Sequence, residues 1–175
     1  MSTPKVRYKI NLKDLFDGVS VEDKALREAI GGAIIERIKS RAESGVDKNG
    51  NKFKPYSQSY KESLQFKAFG KSNQVDMTLT GDMLGTLEMV KDSPNQLVFG
   101  WEDETQNAKA YNHTTGDTVP KRDFFGLPKE EVEEIVSEFS EDVKSFKDLA
   151  ESRGTSDFDR TAVSFIARLL GRSSG

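Results

Sequence analysis

Asp47, Asn49 and Asn51 alternate along "GVDKNGNKFKPYS" (45–57) as the first oxygen ligands of a calcium loop do. Calcium binding is therefore the first chemistry this chain offers. Such a loop also needs glycine at its sixth position and a bidentate glutamate at its twelfth. Counted from Asp47, those positions hold Lys52 and Gln58, and Lys48, Lys52 and Lys54 add positive charge where a cation would sit. Asn49-Gly50 is instead a strong turn signal, because both residues tolerate positive φ. The stretch reads as a turn.

His113, the only histidine, lies in "YNHTTGDTVP" with Thr114 and Asp117 close in sequence. A general base needs an orienting acid and a group to deprotonate within hydrogen-bond reach. Any polar loop offers such pieces, and a structural or surface histidine is the plainer reading. The many acids of 130–151 fall on a charged helix and read as its solvated side. No P-loop, dinucleotide fingerprint, nucleophile elbow or zinc spacing occurs. The chain has no cysteine, which removes disulfides and thiolate chemistry. Basic residues near the N-terminus lack the basic–aromatic patterning of a nucleic-acid module. These observations favour a structural or assembly protein over an enzyme, with no cofactor and no metal.

The elements that must carry these residues fit one modest domain of the 175-residue chain. Residues 1–71 hold fifteen basic and nine acidic side chains, whereas 129–151 hold three and nine. That asymmetry suits docking within the chain or head-to-tail contact between copies, though a solvated helix face explains it too. No apolar run reaches the roughly 18 residues of a membrane span, and "MSTPKVRYKI" lacks a signal-peptide core. The expectation is a soluble intracellular protein without a membrane partner.

"VRYKINL" alternates, with Val6, Tyr8, Ile10 and Leu12 on one face, and predicts a half-buried strand. Ser20, followed by Asp23, predicts a helix start. Leu26, Ile30, Ala33, Ile34 and Ile38 supply that helix's apolar stripe, with Gly31 and Gly32 inside it. A second helix is expected over 57–69 with Tyr60, Leu64 and Phe69 inward. A turn or short helix at 81–84 leads to a strand at 86–91. "DSPNQ" then turns into "LVFGW", where Leu97, Phe99 and Trp101 alternate. After Pro128, Val132, Val136, Phe139, Val143, Phe146 and Ala150 form an a/d-like seam. The predicted fold class is α+β: an antiparallel sheet from 5–12, 86–91 and 96–101, packed by helices at 20–43 and 128–150. Residues 1–150 form the domain, and 151–175 form a linker and an extra C-terminal amphipathic helix.

The order of these fragments resembles the phage virion morphogenesis (tail completion) family of Mu-like and related tailed phages. The likeness spans roughly residues 20–140. It is carried by Gly45, Asp47, Gly50, Phe53 and Pro55 after the long helix, then by Leu79, Thr80, Gly81 and Leu84. Tyr111, His113 and Gly116 follow, and the last box is Pro120, Arg122, Phe124, Gly126 and Leu127. The N-terminal strand and the residues near 157–170 fall outside it. The resemblance implies a non-enzymatic structural protein of the virion neck or tail, made in the host cytoplasm and acting in tail completion and head–tail joining. It implies a ring homo-oligomer, a hexamer or dodecamer, around the DNA path. Its partners would be the head–tail connector and the tail terminator or tube proteins, with DNA only as passing cargo. Two other classes stay open: a small adaptor or regulatory protein binding phage or host partners, and a nucleic-acid-processing factor using His113.

Two interfaces are expected. Neighbours in an extended segment point to opposite sides, so one of Phe124 and Phe125 should pack on the sheet. The other, with Arg122, should reach a neighbouring subunit; a bend would instead place both rings in the core. Phe158, Phe165, Ile166, Leu169 and Leu170 line one face of the predicted C-terminal helix. A helix of about 14 residues is marginal alone in water, so that face needs a partner, either its own domain or an adjacent copy. The adjacent copy is the expectation here, because the 128–150 seam already serves the local core.

Overall fold

The computed structural model describes residues 2–71, 73–77 and 81–152. The fold is α+β. Three antiparallel strands, β1 (Arg7–Asn11), β2 (Glu88–Ser93) and β3 (Gln96–Gly100), form a sheet in the order β1-β3-β2. Helix α1 (Leu12–Leu15) follows β1 directly, and α2 (Lys24–Glu43) crosses the inner face. Next come α3 (Gln58–Glu62), α4 (Leu64–Ala68) and α5 (Asp82–Gly85). After the sheet come α6 (Glu104–Thr115) and α7 (Lys129–Ser152).

Alternation in β1 and β3 brings Tyr8 opposite Phe99 and Ile10 opposite Leu97. Leu97, Phe99 and Trp101 are completely buried, as their spacing predicts. Val98, on the opposite face, is also buried, because the central strand is flanked there in register by Lys9 and Lys91. Helix α2 packs through Leu26, Ile30, Ile34, Ile38 and Ala42, all without solvent exposure. A Cβ on Gly31 would meet the Met89 sulfur at 2.8 Å, so helix and sheet approach closely there. Gly32 faces open space. Only one of the two glycines serves packing.

Several boundaries differ from expectation. The cap of α2 is Asp23, whose carboxylate accepts from the Leu26 amide at 2.7 Å; the Ser20 hydroxyl donates to Glu22 instead. The single helix expected over 57–69 is two, because Ser63 is extended and its hydroxyl accepts from the Phe66 amide, starting α4 afresh. That interruption resets the helical phase. Phe66 is buried, while Leu64 and Phe69 are 87% and 53% exposed rather than inward. On α7, Ile135, Phe139, Val143 and Phe146 are buried, whereas Ala150 is exposed. A straight helix of 3.6 residues per turn carries a 3.5-residue seam off its partner. The helix also continues through Glu151 and Ser152.

The charge asymmetry is used within the chain. Arg37 of α2 pairs with Glu134 (3.6 Å) and Glu138 (3.0 Å) of α7, and Arg41 pairs with Glu131. Arg27 joins the start of α2 to β2. It pairs with Asp92 and donates to the carbonyls of Val21 and Glu22 at 2.8 and 2.7 Å.

Candidate functional site

Asp47 is committed to its own turn. Its Oδ1 accepts from the amides of Asn49 (2.8 Å) and Asn51 (2.9 Å), and its own amide donates to the Asn51 carbonyl at 2.8 Å. Gly50 holds φ +81°, where an L side chain is strained. Among the described residues no group of three or more histidines, cysteines or acids could hold a metal ion. Phe53, the turn's aromatic, is buried and closes the loop by donating its amide to Gly45 at 2.8 Å.

This turn is stitched to the 120–127 segment. The Lys48 amide donates to the Asp123 carbonyl at 2.9 Å, and the two side chains pair at 3.3 Å. The Arg122 amide donates to the His113 carbonyl at 2.7 Å, tying the same segment to α6. Arg41 closes the ring from α2, donating to the carbonyls of Phe124 and Gly126. Trp101 lies at the centre. Its ring nitrogen donates to the Met83 carbonyl, and its ring lies 4.8 Å from Phe125 and 6.2 Å from Phe124, centroid to centroid. Leu79 and Thr80 lie outside the described residues.

Both Phe124 and Phe125 are core residues, at 0% and 7% exposure, and Arg122 is buried at 4%. The expected outward ring and outward arginine are therefore not found. The segment is bent rather than extended: the Phe124 amide donates to the Arg122 carbonyl at 2.9 Å, and Gly126 takes φ +137°. Alternation fails across such a bend, and both rings turn inward. The other expected interface residues, Phe158, Phe165, Ile166, Leu169 and Leu170, lie outside the described residues.

Comparison of the chain with protein-family models, curated proteins and solved structures gives no match.

Arg122 and His113 line a cavity of about 420 Å³, together with Tyr56, Tyr60, Lys109 and Met83. Arg122 Nη1 lies 3.1 Å from His113 Nδ1. An arginine can only donate, so Nδ1 accepts and the neutral imidazole carries its proton on Nε2. Burial, and then the adjacent guanidinium, push the His113 pKa down to about 4. Burial also raises the phenols of Tyr56 and Tyr60 and lowers Arg122. The guanidinium carbon sits 5.5 Å above the Tyr56 ring, within cation–π range.

General-base chemistry does not follow from this arrangement. The Thr114 hydroxyl donates back to the Ala110 carbonyl at 3.0 Å, and Asp117 is exposed, its amide bonded to Thr115. Neither orients the ring. The residues present form a donor-rich pocket around a buried cation. Sequence reasoning singled out His113 and Arg122 separately, placed Tyr60 only as an inward helix residue, and missed Tyr56 and Lys109. No helical spacing pairs Tyr56 with Tyr60, because Tyr56 precedes the Ser57 cap of α3; their rings meet at 5.2 Å between centroids through the turn of the chain. Asn107 was also missed. It is buried, accepts from the Val6 amide at 2.8 Å and donates to the Pro4 carbonyl at 3.0 Å, pinning the N-terminus to α6.

Proposed function

We propose that this chain is a structural component of a tailed-phage neck or tail, acting in tail completion and head–tail joining as a ring of identical copies around the DNA path. One observation carries the reading. The boxes that bear the resemblance, around Gly45–Phe53, Gly81–Leu84, Tyr111–Gly116 and Arg122–Leu127, are distant in sequence yet are tied into one assembly about Trp101 by the bonds described above. That these separate boxes share one bonded assembly is what supports the reading.

Connector and tail terminator or tube proteins are the proposed partners, and DNA passes without being gripped. The exposed Leu64 and Phe69, beside Lys61 and Lys67, favour a binding role over a catalytic one. They suit a free adaptor equally well, which is the second reading. Mass spectrometry of purified particles, with copy number measured, separates the two. A stoichiometric complement in the particle supports the virion reading; consistent absence from intact particles ends it.

A further inference from the structure

Four of the five described arginines sit on carboxylates: Arg7 on Glu102, Arg27 on Asp92, Arg37 on Glu138 and Arg41 on Glu131. Arg122 does not. Its bonds go to a neutral imidazole at 3.1 Å and, at the outer limit of 3.5 Å, to the Lys54 carbonyl, while Nε has no acceptor. A buried charge is expensive unless it is paired and fully hydrogen-bonded. Among the described residues no acid pairs with it, yet it is 96% shielded from water. Lys109, half-buried on α6, lines the same cavity and likewise has no ion pair among the described residues.

The walls define what could answer this charge. Tyr56 and Tyr60 bring hydroxyls on aromatic bodies, and Val75, Met77 and Met83 make part of the wall apolar. A small inorganic anion would satisfy the charge and leave that apolar surface wet. We propose that the cavity over Arg122 binds a carboxylate borne on an apolar body, with the guanidinium as anchor and Lys109 as second cation. Charge-assisted bonds to a guanidinium are the strongest that a carboxylate makes in a protein. The neutral His113 supports the arrangement, since an acceptor at Nδ1 steadies Arg122 without competing for the anion. The chemistry is shared by a free organic acid and by the terminal carboxylate of an apolar peptide. The inference does not rest on the neck or tail reading, and its test uses the isolated chain.

Calorimetric titration of the full chain with 3-phenylpropionate, 3-phenylpropionamide and inorganic phosphate tests it. The carboxylate should bind at least about tenfold more tightly than either control, and it should shift the Arg122 Nε–Hε resonance. An apolar tripeptide with a free C-terminus, compared with its amide, assigns the source: tighter binding than phenylpropionate points to a protein segment, weaker binding to a small molecule. Arg122→Gln should remove the preference for the carboxylate. Should that variant fail to fold, Lys109→Gln should still weaken carboxylate binding several-fold and leave amide binding unchanged. Equal binding of carboxylate and amide, phosphate matching the organic acid, or no binding at about 20 mM probe would overturn the proposal.

Discussion

The imidazole of His113 accepts a hydrogen bond from Arg122 at 3.1 Å, so a histidine takes the place usually held by an acid beside a buried arginine. Protonating that ring would bury two adjacent cations. Its folded pKa is about 4 against an ordinary 6.5. Between those values the unfolded chain takes up the proton first, so stability is complete above pH 6.5 and falls as the pH drops toward 4. By linkage the loss is on the order of 3 kcal/mol. Arg122 faces the ring, and Lys109, Tyr56 and Tyr60 share its cavity. Urea midpoints measured from pH 4 to 7 should decline toward acid more steeply in the native chain than in His113→Gln. Parallel profiles would remove His113 as the cause.

The two glycines of α2 should respond oppositely to alanine. Gly32→Ala gains helix propensity at an open site and should stabilise by up to about 1 kcal/mol. Gly31→Ala gains the same propensity but drives a methyl into Met89 Sδ, and overpacking typically costs about 1–3 kcal/mol. Thermal melts of both variants decide the matter. The pair should straddle the native value, with Gly31→Ala below it.

Arg41 joins α2, α7 and the 124–126 bend through one planar guanidinium. A lysine keeps the charge but loses the fork, so Arg41→Lys should destabilise by about 2 kcal/mol or more. Denaturant unfolding measures this. A change below about 0.5 kcal/mol, the range of ordinary surface substitutions, would show that the bend is held by other contacts.

Asp47 should matter for a turn and not for a cation. Asp47→Ala removes the acceptor for two backbone amides and should cost about 1 kcal/mol. Millimolar calcium and EDTA should leave the melting temperature of the native chain unchanged. A calcium-dependent rise, abolished in the variant, would return the stretch to metal binding.

Removal of residues 155–175 bears on assembly. Under the proposed function, the shortened chain stays folded and soluble but no longer assembles with copies or virion partners. Circular dichroism and sedimentation read both properties. An unfolded product, or one that assembles normally, excludes an inter-subunit role for Phe158, Phe165, Ile166, Leu169 and Leu170.

Periodicity made much of this fold legible. Alternation in "VRYKINL" and "LVFGW" located two strands, and the stripe from Leu26 to Ile38 located the long helix together with its buried face. What stayed hidden depends on partners that no local pattern encodes. Ser63 breaks a helix that its neighbours could have continued. Arg27 reads as a surface cation until Asp92 of β2 is placed beside it. The inward turn of both Phe124 and Phe125 follows from one local bond and from a latch on Arg41, far earlier in the chain. The cavity brings together residues from 56 to 122, a juxtaposition only the tertiary fold creates.

Trp101 is the only tryptophan in the chain, and it is wholly buried against Phe124 and Phe125 with its ring nitrogen bonded. The protein therefore carries one indole fluorophore, separately excitable from its tyrosines, at the point where its distant segments meet. An indole so shielded emits to the blue of free tryptophan, and loosening of the 122–126 bend would redden it. Far-ultraviolet dichroism is instead dominated by the long helices α2 and α7. When the two signals melt together the domain is one cooperative unit. An earlier optical transition would mean that the junction opens while the helices still stand.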